Sequence, residues 1–107
     1  MSLDIDKLWQ PAADADALPG HMGVFELADA AGTTLLIGYA GGRSLFGLRG
    51  EVARALSENP QARSFRIEVT TAYLTRYQEL LMWHQARYGA LPGGNPPVPG
   101  LGRLHPD

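Results

Sequence analysis

A chain of 107 residues with a formal net charge of -2 and no cysteine has room for one modest core, burying roughly 65% of the surface its unfolded form exposes. Without cysteine there is no disulfide and no thiolate metal site, which suits the reducing cytoplasm, and no apolar run approaches the ~18 residues a membrane span needs. The charge excludes a strong non-specific nucleic-acid binder, yet six acids against Lys7 in residues 1–29 give way to eight arginines against Glu51, Glu58, Glu68, Glu79 and Asp107 in residues 30–107, so a mildly basic body follows an acidic leader.

In chain order, residues 1–20 contain Pro11, Pro19 and Gly20 and an Ala/Asp stretch without a sustained period. They read as an irregular leader with one helical turn near residues 3–9, docked on the core by Trp9. The leader is acidic where a signal peptide is basic, so no secretory signal is expected. Residues 23–28 read as a strand, 29–32 as a turn and 33–39 as a second strand, together a β-hairpin. The second strand is almost continuously apolar, which predicts a central place in the sheet.

A glycine-rich bend follows, Gly38-Tyr39-Ala40-Gly41-Gly42-Arg43, and leads into a helix with Ser44 as its expected N-cap and Leu45, Leu48, Val52 and Leu56 at helical spacing until Asn59-Pro60. Such glycine density suits backbone that approaches another strand or cradles an anion on free amides. Phe65, Ile67 and Val69 then alternate with polar residues as a half-buried strand. Thr70 or Thr71 is placed to cap a second helix, on which Leu74, Tyr77, Leu81, His84 and Tyr88 form a stripe ending at Gly89. From Leu91 the prolines and glycines describe an extended tail. The fold expected is α+β, a three-stranded antiparallel sheet flanked by helices, with a leader at 1–20, a domain at 21–95 and a Pro/Gly-rich tail at 96–107.

A Walker loop is excluded, because Gly42-Arg43-Ser44 lacks the required lysine and spacing. His21, His84 and His105 share no metal-ligand spacing, and His84 lies on the apolar stripe. Arg49 has Leu45, Phe46, Val52 and Ala53 at its helical neighbour positions, so its counter-charge must be an acid elsewhere or an anionic ligand. Arg54, by contrast, has Glu51 and Glu58 within reach. Glu79 is either a surface partner of Arg76 or a carboxylate facing the same pocket as Arg49 and holding a divalent cation. Arg43, Gly41 and Gly42 are phosphate-binding candidates, and Asn95 either orients a phosphate or forms a turn.

The order of these residues resembles the GIY-YIG nuclease family over about residues 22–95. Gly23-Val24-Phe25 stands where the first motif would be and Leu36-Ile37-Gly38 where the second would. The resemblance implies an arginine at Arg49, a metal-binding glutamate at Glu79 and a late asparagine at Asn95, with Mg²⁺ as cofactor and DNA or another nucleic acid as partner. Both motif tyrosines are replaced, by Phe25 and Leu36, which removes acid-base help worth ~10²- to 10⁴-fold. Three functions are therefore open: a metal-dependent nuclease, as the resemblance implies; a non-catalytic nucleic-acid or nucleotide binding module; and an interaction domain in which Arg49 and Glu79 form a structural pair and the Pro-rich tail meets a partner.

Overall fold

A computed structural model describes residues 4–96. Its elements are β1 (Gln10–Pro11), a short 3-10 turn (Ala12–Ala17), β2 (Gly23–Ala28), β3 (Thr34–Ala40), α1 (Gly47–Glu58), β4 (Ser64–Val69) and α2 (Tyr73–Tyr88). The fold is α+β: an antiparallel sheet in the order β1-β4-β2-β3 with a helix on each face. It has four strands rather than the expected three, the fourth being the two-residue β1. Among the described residues no helix is long and apolar enough to cross a membrane.

Strand alternation sends successive side chains of β2 to opposite faces. Phe25 and Leu27 pack with Leu48, Val52 and Phe65 beneath α1. Val24 packs with Ile5, Ile37, Leu80 and Leu81 beneath α2. The sheet thus separates two apolar clusters, and β2, paired on both sides, is buried along its whole length.

The central strand is β2, and the apolar strand expected there, β3, lies at the edge. The reason is that an apolar run reports two covered faces, whereas centrality depends on two paired edges. The outer edge of β3 is met by residues 91–95 instead of a strand. Gly94 donates its amide to the Leu35 carbonyl at 2.7 Å. The Asn95 side chain accepts from the Ile37 N–H at 2.8 Å and donates to the Ile37 carbonyl at 2.9 Å, mimicking a strand neighbour. Leu91 joins the cluster under α2 and Pro92 is buried, so the tail is packed up to this point. Its remainder from 97 on, with His105, lies outside the described residues.

The leader also packs. No helical turn forms at 4–9; Ile5 enters the core under α2, β1 crosses the edge of β4, and the 3-10 turn delivers Ala15 to the core under α1, with Leu18 just beyond it. Residues 4–20 therefore hook around one edge of the sheet. Six residues of alternating Ala and Asp carry too little apolar periodicity to announce this.

Helix α1 begins at Gly47, three residues after the expected cap Ser44, and Phe46 takes the cap position without a side-chain bond. Gly47 adopts φ +57°, a left-handed conformation costly for other residues, and a Cβ there would overlap the backbone of Gly20. The Leu48 amide, free for lack of an intrahelical partner, donates to the His21 carbonyl at 2.9 Å. Helix α2 is capped by Ala72, not Thr70 or Thr71; the Thr70 hydroxyl accepts from the Ala72 amide. It ends on left-handed Gly89, whose N–H reaches the Gln85 carbonyl at 2.8 Å. The stripe is narrower than expected: Leu80 and Leu81 are buried, whereas Leu74 and Tyr88, at the overhanging ends of the helix, are exposed.

Candidate functional site: a cleft at the edge of β3

A cleft of about 770 Å³ opens along the edge of β3. Phe25, Leu36 and Gly38 line it from the α1 side of the sheet, and Tyr39, Tyr73 and Tyr77 from the α2 side. Gly38 is required there, since a Cβ would overlap the Phe25 ring. The motif positions Phe25, Leu36 and Gly38 are thus gathered in one place, with Gly23 beside them in the β2–β4 pairing.

The aromatic wall is ordered. Tyr39 stacks on Tyr73 with ring centroids 5.7 Å apart and planes 13° from parallel, and meets Tyr77 at 4.9 Å with a 60° tilt. Tyr73 and Tyr77 are one helical turn apart on α2, so both face the same side. Burial pushes the Tyr77 hydroxyl above its ordinary pKa, the nearby Tyr39 adds to this, and a hydrogen bond with Asn95 opposes it.

The polar rim comes from the glycine bend and α1. Gly41 donates its amide to the Ser44 hydroxyl at 3.1 Å, and that hydroxyl donates to Glu51 at 2.8 Å. Glu51 also pairs with Arg54 at 2.9 Å. Gly42 donates to the Tyr73 oxygen at 3.3 Å. Both glycine amides named as anion ligands are therefore engaged within the protein. Arg43 lines the cleft, is exposed, and has no hydrogen bond or ion pair among the described residues.

The structure does not bring Arg49 and Glu79 together. They stand on α1 and α2, on opposite faces of the sheet, and neither lines the cleft. Arg49 is exposed, with its guanidinium 5.8 Å from the Phe46 ring centre. Glu79 is half-buried near Arg76, whose bonded carboxylate is Glu68 at 2.7 Å. A magnesium ion on Glu79 would lie away from the cleft, so this donor does not fit a metal site there. Asn95 does line the cleft, its amide bonded through both atoms to Ile37 and also facing the Tyr77 hydroxyl.

A second polar cluster escaped the sequence reading. Glu26 on β2 is 2% exposed and accepts from Arg66 Nε at 2.6 Å. Arg66 also pairs with Asp4 at 3.0 Å and lies 4.3 Å from the Trp9 ring centre. Burial, aided by Asp4, pushes the Glu26 carboxyl up to about 7 despite the opposing pull of Arg66. Arg76 also holds the leader, donating to the Asp4 carbonyl at 2.8 Å. Part of the signal was present: Glu26 interrupts an apolar strand, whereas Arg66 takes an ordinary polar position in the alternating strand beside it. Trp83 Nε1 is buried without a partner among the described residues and, with Glu26 and Arg66, borders a cavity of about 120 Å³.

Fold and site together define a small α+β domain with an aromatic, arginine-rimmed cleft at one sheet edge. The chain belongs to the family described as Domain of unknown function (DUF7508), whose profile matches residues 1–87. That stretch includes the hooked leader and the three cleft tyrosines, and stops short of Asn95. No curated protein matches the sequence.

Proposed function

We propose that this cytoplasmic domain is a divergent GIY-YIG-like module that binds nucleic acid or a nucleotide in the β3-edge cleft without cleaving it. The observation that carries the reading is the stacked Tyr39 and Tyr73 pair beside the unpaired Arg43. Aromatic faces stack on bases of any sequence, at ~1–3 kcal/mol per base, while an exposed arginine supplies the salt-sensitive phosphate contact. Phe25 and Leu36, which occupy the tyrosine positions of the two motifs, lie in this cleft and have no proton to move. Of the three residues that the resemblance casts in catalysis, Arg49 and Glu79 stand outside it and Asn95 lines it. That arrangement supports binding without turnover.

The test is fluorescence anisotropy with a labelled single-stranded oligonucleotide and with a labelled mononucleotide. Binding that weakens with salt, and that Tyr39→Ala reduces by about tenfold, supports the reading. Failure to bind either probe at low salt refutes it. Plasmid nicking that requires Mg²⁺ and disappears in Glu79→Ala would restore the nuclease reading in its place.

A further inference from the structure

We infer that Leu45 and Phe46 form an apolar wedge that stacks on the terminal base pair of a duplex where it meets a single strand lying in the cleft. The inference rests on the nucleic-acid reading of the cleft and specifies the form of nucleic acid recognised. Leu45 is 92% exposed and the adjacent Phe46 59%, at the very point where the glycine bend enters α1.

These side chains are held outward by a rigid loop. Gly47, at φ +57°, is packed against the backbone of Gly20, and the next residue donates to His21. On the other side the Ser44 amide donates to the Gly41 carbonyl at 3.1 Å, and the Ser44 hydroxyl ties the bend to Glu51. Phe46 is fixed from below, where its carbonyl accepts from Gly50 and a Cβ on Gly50 would press on the Phe46 side chain. An exposed leucine and phenylalanine on a fixed support present a preformed apolar surface, which loses little conformational entropy on contact.

Charge says what that surface meets. Residues 43–54 carry Arg43, Arg49 and Arg54 against Glu51 alone. Arg54 is tied to Glu51, and Arg43 and Arg49, which flank Leu45 and Phe46 in sequence, the first sharing their hollow and the second near the Phe46 ring, have no acidic partner among the described residues. An apolar pair between two free cations complements a stacked base pair with phosphates on either side. An anionic lipid surface has the same complementarity. Continuity favours nucleic acid, because Arg43 borders both the tyrosine cleft and the hollow beneath the wedge, so one strand passing along the cleft arrives at Phe46.

The experiment compares a labelled single strand with the same strand annealed so that a duplex end abuts the unpaired stretch, the last pair containing a fluorescent purine analogue. The junction is expected to bind about tenfold more tightly than the single strand, with analogue emission changed on binding. Phe46→Ala and Leu45→Ser are expected to erase that preference while leaving single-strand affinity and the melting temperature as in the wild type. Equal affinity for the two probes overturns the wedge and leaves the cleft reading intact. Loss of all nucleic-acid binding overturns both. Phe46-dependent sedimentation with phosphatidylserine vesicles, without a junction preference, overturns the wedge in favour of a membrane contact.

Discussion

Glu26→Gln is expected to flatten the dependence of stability on pH. The wild-type carboxyl is buried under α2, and burial is the largest reason that its pKa is pushed up to about 7 from the ordinary 4.5. A carboxyl that binds its proton more tightly in the folded chain stabilises the fold fully below the unfolded value, and this contribution fades as pH rises through the folded one. Across the window from 4.5 to about 7, at ~1.4 kcal/mol for each tenfold change in proton affinity, the loss amounts to about 3 kcal/mol. That is a large share of the ~5–15 kcal/mol that holds a domain together. Glutamine reproduces the protonated acid, with an oxygen for Arg66 and an NH₂ group for Asp4, and does not titrate. Urea unfolding at about pH 5 and about pH 8, with ΔG from linear extrapolation, measures the effect. Wild type should lose roughly 3 kcal/mol more than the variant between these two conditions; taking the difference between the proteins removes the contribution of every other titrating group. Parallel pH profiles for the two proteins would refute the account of Glu26.

Three further outcomes follow from the geometry. Arg43→Ala should weaken single-strand binding to a similar degree for every sequence and reduce the slope of log affinity against log salt by about 0.7, measured by anisotropy titrations at several salt concentrations. Asn95→Ala should free the Ile37 N–H and C=O at the edge of β3, lowering stability by about 1–2 kcal/mol and accelerating hydrogen exchange at the Ile37 amide more than at β2 amides. Gly47→Ala should cost at least ~1–2 kcal/mol from the left-handed backbone alone, with more from contact with Gly20, and lower the melting temperature by several degrees.

Most of the regular structure was legible because local rules fixed it. The bounds of β2 follow from the Gly23 and Asp29 punctuation, and the end of α2 follows from Gly89, whose left-handed cap is a local property. What was not legible depends on partners distant in sequence. Ser44 has the chemistry of an N-cap, but its hydroxyl is used 3.1 Å from Gly41 and 2.8 Å from Glu51, and the helix starts where the backbone of 20–21 can satisfy it. The site shows the same division. The cleft between the hairpin, the bend and α2 was foreseeable from element order, and Phe25, Leu36, Arg43 and Asn95 fall within it. Arg49 and Glu79 were expected in one pocket because Arg49 has no acid on its own helix and because the GIY-YIG resemblance sets an arginine and a metal-binding glutamate together, although Glu79 also has Arg76 at helical spacing. Nothing in helical spacing says on which face of the sheet a helix will lie, and α1 and α2 lie on opposite faces.

The arginines show how the fold sorts a charge that the sequence presents as a uniform excess. Arg66 and Arg76 are drawn to the β4 side, where Glu26, Glu68 and Asp4 hold them and they in turn fasten the leader. Arg54 is neutralised by Glu51. Arg63 caps backbone carbonyls after α1, and Arg87 lies against Tyr88 at the far end of α2. Arg43 and Arg49 are left flanking Leu45 and Phe46 in sequence, Arg43 on the cleft wall and Arg49 near the Phe46 ring. The acidic leader therefore does more than offset the total charge. By holding Arg66 through Asp4 it keeps the positive charge at the β4 edge occupied, so that among the described residues the unpaired arginine on the cleft wall is Arg43, at the β3 end. Under the binding function proposed for the cleft, a field arranged in this way would draw an anionic ligand toward the tyrosines, although the net charge of the chain is negative.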